Sequence, residues 1–499
     1  CMENSLGNFK EHCDAFEKFD HLCGGYIWDF VDQAIHEDGK QGERWLYGTD
    51  FAEKYDPIHG HKSVFTTGGN RYFCANGIVA ADRTPHPAAR EVKKCYQVLR
   101  VVEKDAERGL FTVRNRQMFC DLSAYALRWT LEREGQAMKA DEVPQSEYAK
   151  IPPFGEADVR LDLPELPNGL VTLTFRWTRR EAVPWCEAGF EQAFDQFVLK
   201  NDPPESARAV GGALRLETKR GVVKIGGDGF ELAFRRGMLI SYSRGGRELM
   251  TRPLKPNYYR ALTDNDREFS NFVPVILPFL NATAWKRGDA CQRARMTAHK
   301  TLEGVLIETV WSHPFLKSAS TAYLVRADGS VEIDHRAVSR RRTMLRTGVL
   351  FSIDSALAGV EWLGRGPEEN YPDRKTGSPV GRYTNTVEGL WHGYMRPQEN
   401  GTRSDVRTLK LSGGGHALTV LNLGEELLFS ARNVTQEALD KAEHTDELPG
   451  EKTLTVSLDG AMRGVGGDIP GATALHEPYI LHPGKEYRLH VRMNFTKED

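Results

Sequence analysis

A tryptophan and an aspartate stand side by side at Trp28 and Asp29, after the glycine pair Gly24-Gly25. The glycines indicate a turn, and the mostly apolar run 26–30 predicts a buried strand. At the C-terminal end of a strand in a β/α barrel, such a pair would lie where that fold carries its chemistry. An aromatic face beside a carboxylate suits a sugar ring, which has an apolar CH face and hydroxyl edges. A core tryptophan next to a capping aspartate explains the same pair equally well.

A second polar cluster runs from Asn70 to Gly77 and continues into residues 82–87. Asn76 and the loop carbonyls of this stretch are oxygen donors of the kind that Na⁺ and Mg²⁺ prefer. A turn held by the hydrogen bonds of its own asparagine is the alternative interpretation.

Two further clusters, at 258–266 and 362–374, mix aromatic with hydrogen-bonding side chains. Either cluster could contact a sugar, but loops that pack one domain on another have the same composition, and we favour that structural role. The sequence contains no Ser-His-Asp or Cys-His order, no HExxH motif and no phosphate loop. Its carboxylates are too numerous for spacing alone to identify an acid/base pair.

Length and composition narrow the class of protein. The chain has 499 residues, of which 27% are charged, and a net charge of −3. These values predict about three globular domains and give no sign of a nucleic-acid or membrane partner. No apolar run approaches the roughly 18 residues of a membrane helix, and the first residues lack a signal-peptide pattern. The eight cysteines show no CxxC spacing, which predicts reduced thiols and a cytoplasmic location.

The elements that would position the first two clusters follow from apolar spacing. Steps of three and four residues predict an amphipathic helix over 6–20, and a second helix that starts at Pro85–Pro87 and continues to Leu99. A long loop is predicted between them, from about 34 to 76. Helix, strand, loop and helix are the order of the last units of a β/α barrel. Because a whole barrel needs about 250 residues, we expect most of it to lie upstream.

After Leu99 the period of the pattern changes from that of a helix to that of a strand. Residues 171–178 alternate apolar with polar side chains, which predicts a half-buried strand. Several such runs over 100–212 fit one immunoglobulin-like β-sandwich.

The β pattern continues to the end of the chain. Runs at 214–225 and 230–242 flank a glycine-rich turn, Asp328-Gly329 predicts a hairpin, and residues 487–495 form a closing strand. The predicted fold class is therefore mainly β. It comprises the C-terminal end of a (β/α)8 barrel over 1–99, the immunoglobulin-like β-sandwich over 100–212 and a large antiparallel β supersandwich over 213–499.

Several long motifs, in the same order, make the chain resemble the large glycoside hydrolase family 2 β-galactosidases. The resemblance covers essentially the whole chain, and its main stretches are 24–33, 73–77, 82–87, 187–197, 260–266, 362–374 and 397–401. It implies retaining hydrolysis of lactose-type β-galactosides, Mg²⁺ and Na⁺ as cofactors, and a homo-oligomer at full length. In this mechanism one carboxylate attacks the anomeric carbon while a second, about 5–5.5 Å away, protonates the leaving oxygen.

The resemblance also implies roles for individual residues. Trp28 would stack on galactose, and Asn76 would lie near the sugar. The Phe73 carbonyl and the Asn76 side chain would bind Na⁺, and Asn70 lies close to a loop residue that helps to hold a Mg²⁺.

Residues 1–5 resemble a family motif that follows the nucleophilic glutamate, although Cys1 and Glu3 depart from it. Both catalytic carboxylates would then precede Cys1. We therefore predict an N-terminally truncated chain that contains no catalytic residue and is inert alone. Gly471 stands where enterobacterial-type members have an active-site tryptophan, and a glycine cannot stack on a sugar.

Two alternatives stay open at this point. The chain could be a non-catalytic subunit of a split β-galactosidase, or a carbohydrate-binding partner of one. It could also derive from a family 2 enzyme for another sugar, such as a β-glucuronidase, although the long terminal β region argues against that reading.

Overall fold

A computed structural model describes residues 6–39, 42–51, 75–204, 212–263, 265–266, 282–467 and 475–498. The chain divides into two units. Unit 1 comprises Cys1–Ala89, Ser206–Lys375 and Tyr383–Asp499, and unit 2 comprises Arg90–Glu205 and Thr376–Arg382. None of the described helices is both long and apolar enough to cross a membrane.

Within the first hundred residues, the described part forms two helices and a hairpin: α1 (Phe9–Lys18), β1 (Ile35–Gly39), β2 (Gly42–Leu46) and α2 (Ala88–Cys95). Both predicted helices are confirmed, although each is shorter than predicted, and Leu99 begins a strand instead of extending α2. The prediction of a loop from 34 is wrong for the hairpin region, because β1 and β2 pair from Ile35 to Leu46. Residues 52–74 lie outside the described part.

The prediction of a buried strand at 26–30 is wrong. These residues belong to no sheet, and the nearest strand-like pairing is a single parallel bridge between Val31 and Val79. Tyr26, Trp28 and Phe30 expose 104%, 67% and 65% of their surface. A strand of a parallel sheet is buried on both faces only when neighbouring strands and helices cover it. The described residues supply such a neighbour on one side only.

Unit 2 is built from two antiparallel sheets. One contains β3 (Leu99–Asp105), β4 (Leu110–Asn115) and β7 (Glu156–Arg160), and the other β5 (Tyr125–Arg133), β6 (Gln136–Glu142), β8 (Leu170–Arg179) and β9 (Glu191–Asn201). Helix α3 (Gln145–Tyr148) lies between β6 and β7. Aromatic and aliphatic side chains from both sheets form one core, which includes Phe111, Trp129 and Phe175.

The strand predicted at 171–178 is confirmed as β8, but it is not half-buried. Its threonines Thr172 and Thr174 are buried together with its apolar residues. The amide of Gln196, on the neighbouring strand β9, donates to the Thr174 hydroxyl over 3.0 Å. The polar face of β8 is therefore covered by protein, a property that alternation in the sequence does not report.

The β part of unit 1 contains two large antiparallel sheets. In chain order, the strands of the first are β10 (Arg215–Lys219), β11 (Val222–Gly227), β12 (Phe230–Arg235), β13 (Met238–Arg244), β14 (Arg247–Glu248), β15 (Met250–Asn257), β20 (Arg346–Asp354), β25 (Leu428–Arg432) and β26 (Thr453–Met462). The strands of the second are β16 (Arg293–Lys300), β17 (Val305–Ser312), β18 (Leu316–Val325), β19 (Val331–Ser339), β21 (Gly359–Arg365), β22 (Val380–Thr386), β23 (Thr408–Gly413), β24 (His416–Asn422) and β27 (Glu486–Lys497). Short helices α4 (Thr283–Ala290), α5 (Val387–Leu390) and α6 (Gln436–Lys441) connect some of these strands.

Side chains from both large sheets share one hydrophobic core, in which Phe351, Trp362 and Phe429 are fully or almost fully buried. The predicted hairpin is confirmed, because β18 and β19 pair with Val325 opposite Val331 around Asp328-Gly329. The closing strand is confirmed as β27, which lies between β19 and β24 inside its sheet. The mainly β fold class is therefore confirmed, whereas the domain boundaries at 99/100 and 212/213 stay predictions.

Candidate functional site

The backbone brings the two sequence clusters of the first hundred residues together. The Asp29 amide donates to the Asn76 carbonyl over 3.0 Å, and the Ile78 amide donates to the Asp29 carbonyl over 3.2 Å. Further along, the Asp32 amide donates to the Val79 carbonyl over 3.0 Å. Segments 29–32 and 76–79 therefore run side by side in parallel, as adjacent strands of a barrel would.

Trp28 presents its ring to solvent at the edge of this pair of segments. The side chain is 67% exposed, and the Trp28–Asp29 peptide bond is cis. The exposed residues Tyr26 and Phe30 flank it on the same stretch. Trp28 is thus not the core tryptophan of the alternative interpretation, and its ring is accessible to a ligand.

Asn76, whose carbonyl accepts from the amide of Asp29, the residue after Trp28, is completely buried. Among the described residues, neither its Oδ1 nor its Nδ2 has a hydrogen-bond partner, and the same holds for the buried Oδ1 of Asp29. A buried polar group without a partner costs about 1–3 kcal/mol. Three polar atoms on two neighbouring backbone segments therefore stand ready for a partner that the described residues do not provide.

The second oxygen of Asp29 accepts a hydrogen bond from the Gln33 amide. Loss of water around the carboxyl raises the pKa of Asp29, and the nearby Asp32 carboxylate raises it further. The hydrogen bond from Gln33 acts in the opposite direction without cancelling the rise. A proton on Asp29 is therefore held more tightly than on an aspartate in water.

Asp32 fixes the turn that follows Asn76. Its Oδ1 accepts from the Gly77 amide over 2.7 Å, and its Oδ2 lies 2.6 Å from His86 Nε2. A Cβ atom at residue 77 would lie 2.3 Å from the Asp32 amide nitrogen and 2.5 Å from the Val79 carbonyl oxygen. Glycine is therefore required here, because only a residue without a side chain allows the two segments to approach so closely.

The rest of the second cluster has a structural role. The Asp82 carboxylate accepts from the Thr84 amide over 2.8 Å, which lowers the pKa of Asp82. Arg83 has a φ of 77° and donates to the Ala81 carbonyl. Residues 81–84 are thus a turn closed by its own side chains. Phe73 and Asn70, predicted as metal ligands, lie outside the described residues, so their roles stay predictions.

The third and fourth clusters also hold the protein together. Arg260 pairs with Asp266 over 3.0 Å and donates to the carbonyls of Arg463 and Gly464 over 2.7 and 2.9 Å. The Asp373 carboxylate accepts from the Val465 and Gly466 amides. Both clusters therefore tie loops to the segment after β26. These contacts are structural and lie within unit 1, whereas the packing of one domain on another that we favour from the sequence stays a prediction. Asp264 lies outside the described residues.

Sequence reasoning missed one residue next to the site. His392, just after α5, places its Nε2 2.7 Å from His86 Nδ1. Nothing in the sequence marks this contact, because 306 positions separate the two histidines and neither belongs to a ligand motif.

Three family descriptions match consecutive parts of the chain. "Glycosyl hydrolases family 2, TIM barrel domain" matches residues 1–101, "Beta-galactosidase, domain 4" matches 111–200, and "Beta galactosidase small chain" matches 226–493. The last match alone covers more than half of the chain.

Individual relatives agree with these matches. The β-galactosidase of Priestia megaterium is 30% identical over 505 residues, which cover 97% of this chain and 46% of the relative. The β-galactosidase of Vibrio cholerae is 31% identical over 512 residues, covering 99% and 47%. The chain thus spans about half the length of the curated relatives it matches. The matches confirm the predicted fold class and show that the chain belongs to the glycoside hydrolase family 2 β-galactosidases, of which it represents a C-terminal portion.

Proposed function

We propose that this chain supplies one wall of the sugar pocket of a retaining β-galactosidase that acts on terminal β-D-galactosyl residues of lactose-type substrates. The observation that carries the proposal is the exposed ring of Trp28 beside the unpartnered buried polar atoms of Asn76 and Asp29. The ring would stack on the apolar CH face of galactose. The amide of Asn76 would exchange hydrogen bonds with a sugar hydroxyl, a contact that its burial makes stronger than it would be in water.

A sodium ion fits the donor set in part. The unpartnered Oδ1 of Asn76 is the kind of neutral oxygen that a hard cation binds, and the Phe73 carbonyl would complete this side. Bound Na⁺ would supply positive charge next to the sugar hydroxyls. We propose that Asn70 helps to hold a Mg²⁺ ion. Among the described residues, no group of three or more His, Cys, Asp or Glu side chains could hold a metal ion.

We further propose that both catalytic carboxylates come from polypeptide other than these 499 residues. The retaining mechanism needs two carboxyl groups about 5–5.5 Å apart. Asp29 is the acidic group next to Trp28, and Asp32 is engaged by His86 and Gly77. We therefore expect the chain alone to leave galactosides intact. The proposed location of the protein is the cytoplasm, and we propose that the complete enzyme is a homo-oligomer.

A separate non-catalytic subunit is the second candidate function. It is favoured by the exposed aromatic row of Tyr26, Trp28 and Phe30, because large exposed apolar groups in a row mark a surface that another polypeptide or a ligand covers. The two candidates share the same sugar-binding residues, Trp28, Asp29 and Asn76, which we call the sugar wall. They differ in whether the covering polypeptide is part of the same chain.

The test is a galactose titration of the expressed 499-residue chain, followed by isothermal titration calorimetry, whose signal does not depend on Trp28. We expect saturable binding that Trp28→Ala weakens at least about tenfold, the loss of about 1.4 kcal/mol of stacking. Trp185→Ala is the matched control, because Trp185 is 64% exposed but lies in unit 2. Equal effects of the two substitutions would contradict the proposed wall.

A chromogenic galactoside provides the second measurement. We expect no turnover above that of the Trp28→Ala chain, since we propose that the carboxylate pair comes from other polypeptide. Turnover that Trp28→Ala abolishes would show that the chain carries its own catalytic acids.

A further inference from the structure

A chain of hydrogen bonds leads from the sugar wall to His392, which lies 306 positions after His86 in the sequence. Asp32 accepts from the Gly77 amide over 2.7 Å and contacts His86 Nε2 over 2.6 Å. His86 Nδ1 in turn lies 2.7 Å from His392 Nε2. We call these three side chains, Asp32, His86 and His392, the histidine chain. One end holds Gly77, the residue directly after Asn76, and the other end lies just after α5.

The positions of the ring protons decide which member of the histidine chain donates each hydrogen bond and which accepts it. The Asp32 carboxylate only accepts hydrogen bonds, so His86 donates to it through Nε2. In the tautomer in which His86 carries its proton on Nε2, its Nδ1 is an acceptor, and His392 donates to it through Nε2–H. Loss of water around the ring lowers the pKa of His392 to about 4. His392 is therefore neutral at pH 7, with a single ring proton, and this histidine chain uses it.

The segment around His392 is itself held firmly. The Tyr394 ring stacks on His86 with centroids 5.8 Å apart, and the Tyr394 hydroxyl donates to the Glu369 carboxylate. Met395 packs in one cluster with Ala75, the residue before Asn76. Residues 392–395 thus contact Ala75 just before Asn76 and His86 ten residues after it.

Glu369 anchors this segment to two buried loops, which contain Arg374 and Gly401. Its carboxylate pairs with Arg374 over 2.7 Å and accepts from the Gly401 amide over 2.6 Å. Glu369 and Arg374 are both buried. The segment that carries His392 is therefore held by buried side chains two residues away, and a binding site needs supporting contacts of this kind.

We propose that His392 is a positioning residue that acts through His86 and Asp32 to hold the Gly77 amide, and with it the buried Asn76 side chain beside Trp28. The part of this inference that concerns galactose rests on the proposed function, whereas the part that concerns the backbone of 76–79 does not. Sequence matching alone does not point to this role, since it needs the contact between residues 86 and 392.

The test is hydrogen–deuterium exchange of the 499-residue chain, read at the peptide that covers 75–79. His392→Leu removes the donor, and we expect exchange of this peptide to rise at least about tenfold while β18 and β19 stay protected. His392→Gln returns an amide N–H to the same place and should restore protection. His490→Leu is the matched control, because His490 pairs with Glu332 over 2.9 Å at a different place in unit 1.

Unchanged exchange at 75–79 in His392→Leu would overturn the inference. So would an equal rise across the large sheets, because that result reports general destabilisation. Failure of His392→Gln to restore protection would equally count against a donated hydrogen bond.

Galactose affinity separates this inference from the proposed function. If the unmodified chain does not bind galactose, the proposed function fails, and the exchange result still decides whether His392 positions residues 76–79. If the chain binds galactose, we expect His392→Leu to weaken binding about tenfold and His392→Gln to retain it. Faster exchange with unchanged affinity would overturn the functional part of the inference.

Discussion

The buried side-chain amide of Asn76 lowers the stability of the protein because it is left without a partner and stays available to a ligand. It is fully buried, and within the described part of the chain its amide has no partner. Leucine has the same number of side-chain heavy atoms in the same branched arrangement and needs no partner, so Asn76→Leu should raise the free energy of unfolding of unit 1 by about 1 kcal/mol. Urea denaturation measures this change, and galactose binding should be lost in the same variant.

Asn370 is the matched control in the same unit. It is equally buried, but its Oδ1 accepts from the Ser404 amide over 3.0 Å and its Nδ2 donates to the Glu368 carbonyl over 3.0 Å. Asn370→Leu leaves the Ser404 amide and the Glu368 carbonyl without their hydrogen-bond partner and should destabilise unit 1 by about 2–3 kcal/mol. A destabilising effect of both substitutions would mean that Asn76 is satisfied in the free protein.

Residue types identified part of this site and not the rest. Trp28 and Asn76 stand out because an aromatic ring and an amide suit a sugar, and a backbone hydrogen bond joins Asn76 to Asp29, the residue after Trp28. Asp32 and His86 are ordinary members of their motifs until the fold brings them within 2.6 Å. His392 could not be predicted, because a contact across 306 positions is set by the packing of sheets and leaves no local pattern.

At the scale of elements, an ion network crosses strands β19 and β27 on the outer face of their sheet. Asp334 accepts from Arg488 over 2.8 and 2.9 Å and from Arg336 over 3.0 and 3.2 Å. Partial burial alone would raise the pKa of Asp334, but the two arginines outweigh it and lower the pKa to about 2. The carboxylate of β19 is thus held charged by its neighbours on two strands.

This network predicts the direction of acid sensitivity. Because the pKa of Asp334 is lower in the folded protein than its usual 3.8, its contribution is present above about pH 4 and is lost as the pH falls towards 2. Asp334→Asn should cost about 1–2 kcal/mol at pH 7 and flatten the loss of stability between pH 4 and 2.

Urea denaturation at several pH values measures both effects. Asp228→Asn, in the exposed turn between β11 and β12, is the control and should leave the pH dependence unchanged. An Asp334→Asn chain with the same pH profile as the unmodified chain would contradict the assignment.

Single elements were predictable where the local pattern decides their structure. The Asp328-Gly329 turn set the β18–β19 hairpin, and a strict alternation marked β27. Residues 26–30 were predicted wrongly, because an apolar composition does not reveal whether neighbouring strands are present to cover it. Burial on the second face of β8 was missed for the same reason.

At the scale of the whole molecule, Asp373 ties the start of unit 1 to its last third. Its carboxylate accepts from the Val465 and Gly466 amides over 3.0 and 2.7 Å, and its carbonyl accepts from the Asn8 amide over 3.0 Å. Asp373→Ala leaves two amides without an acceptor and should destabilise unit 1 by about 2–4 kcal/mol.

Asp373→Asn, which retains one acceptor oxygen, should cost less than Asp373→Ala. Urea denaturation, read by exchange protection of the peptides around residue 8 and residue 465, compares the two variants. An effect of Asp373→Ala below about 0.5 kcal/mol, the range of ordinary surface changes, would contradict the anchoring role.

The change of period near Leu99 was sufficient to predict a mainly β chain, and the long motifs were sufficient for its family. The order of strands in the two large sheets could not be predicted from the sequence. Pairs such as β20 with β26 join residues about a hundred positions apart, and alternation along each strand is the same whichever partner it takes.

The place of β27 has a consequence for how the protein is made. This strand is the last in the sequence, yet β19 pairs with one of its edges and β24 with the other. A ribosome must therefore have made β27 before these two halves of the sheet can be joined, and until then β19 and β24 each present an open edge to the cell. Closure of this sheet thus waits for twelve residues that are synthesised well after both of the strands they connect.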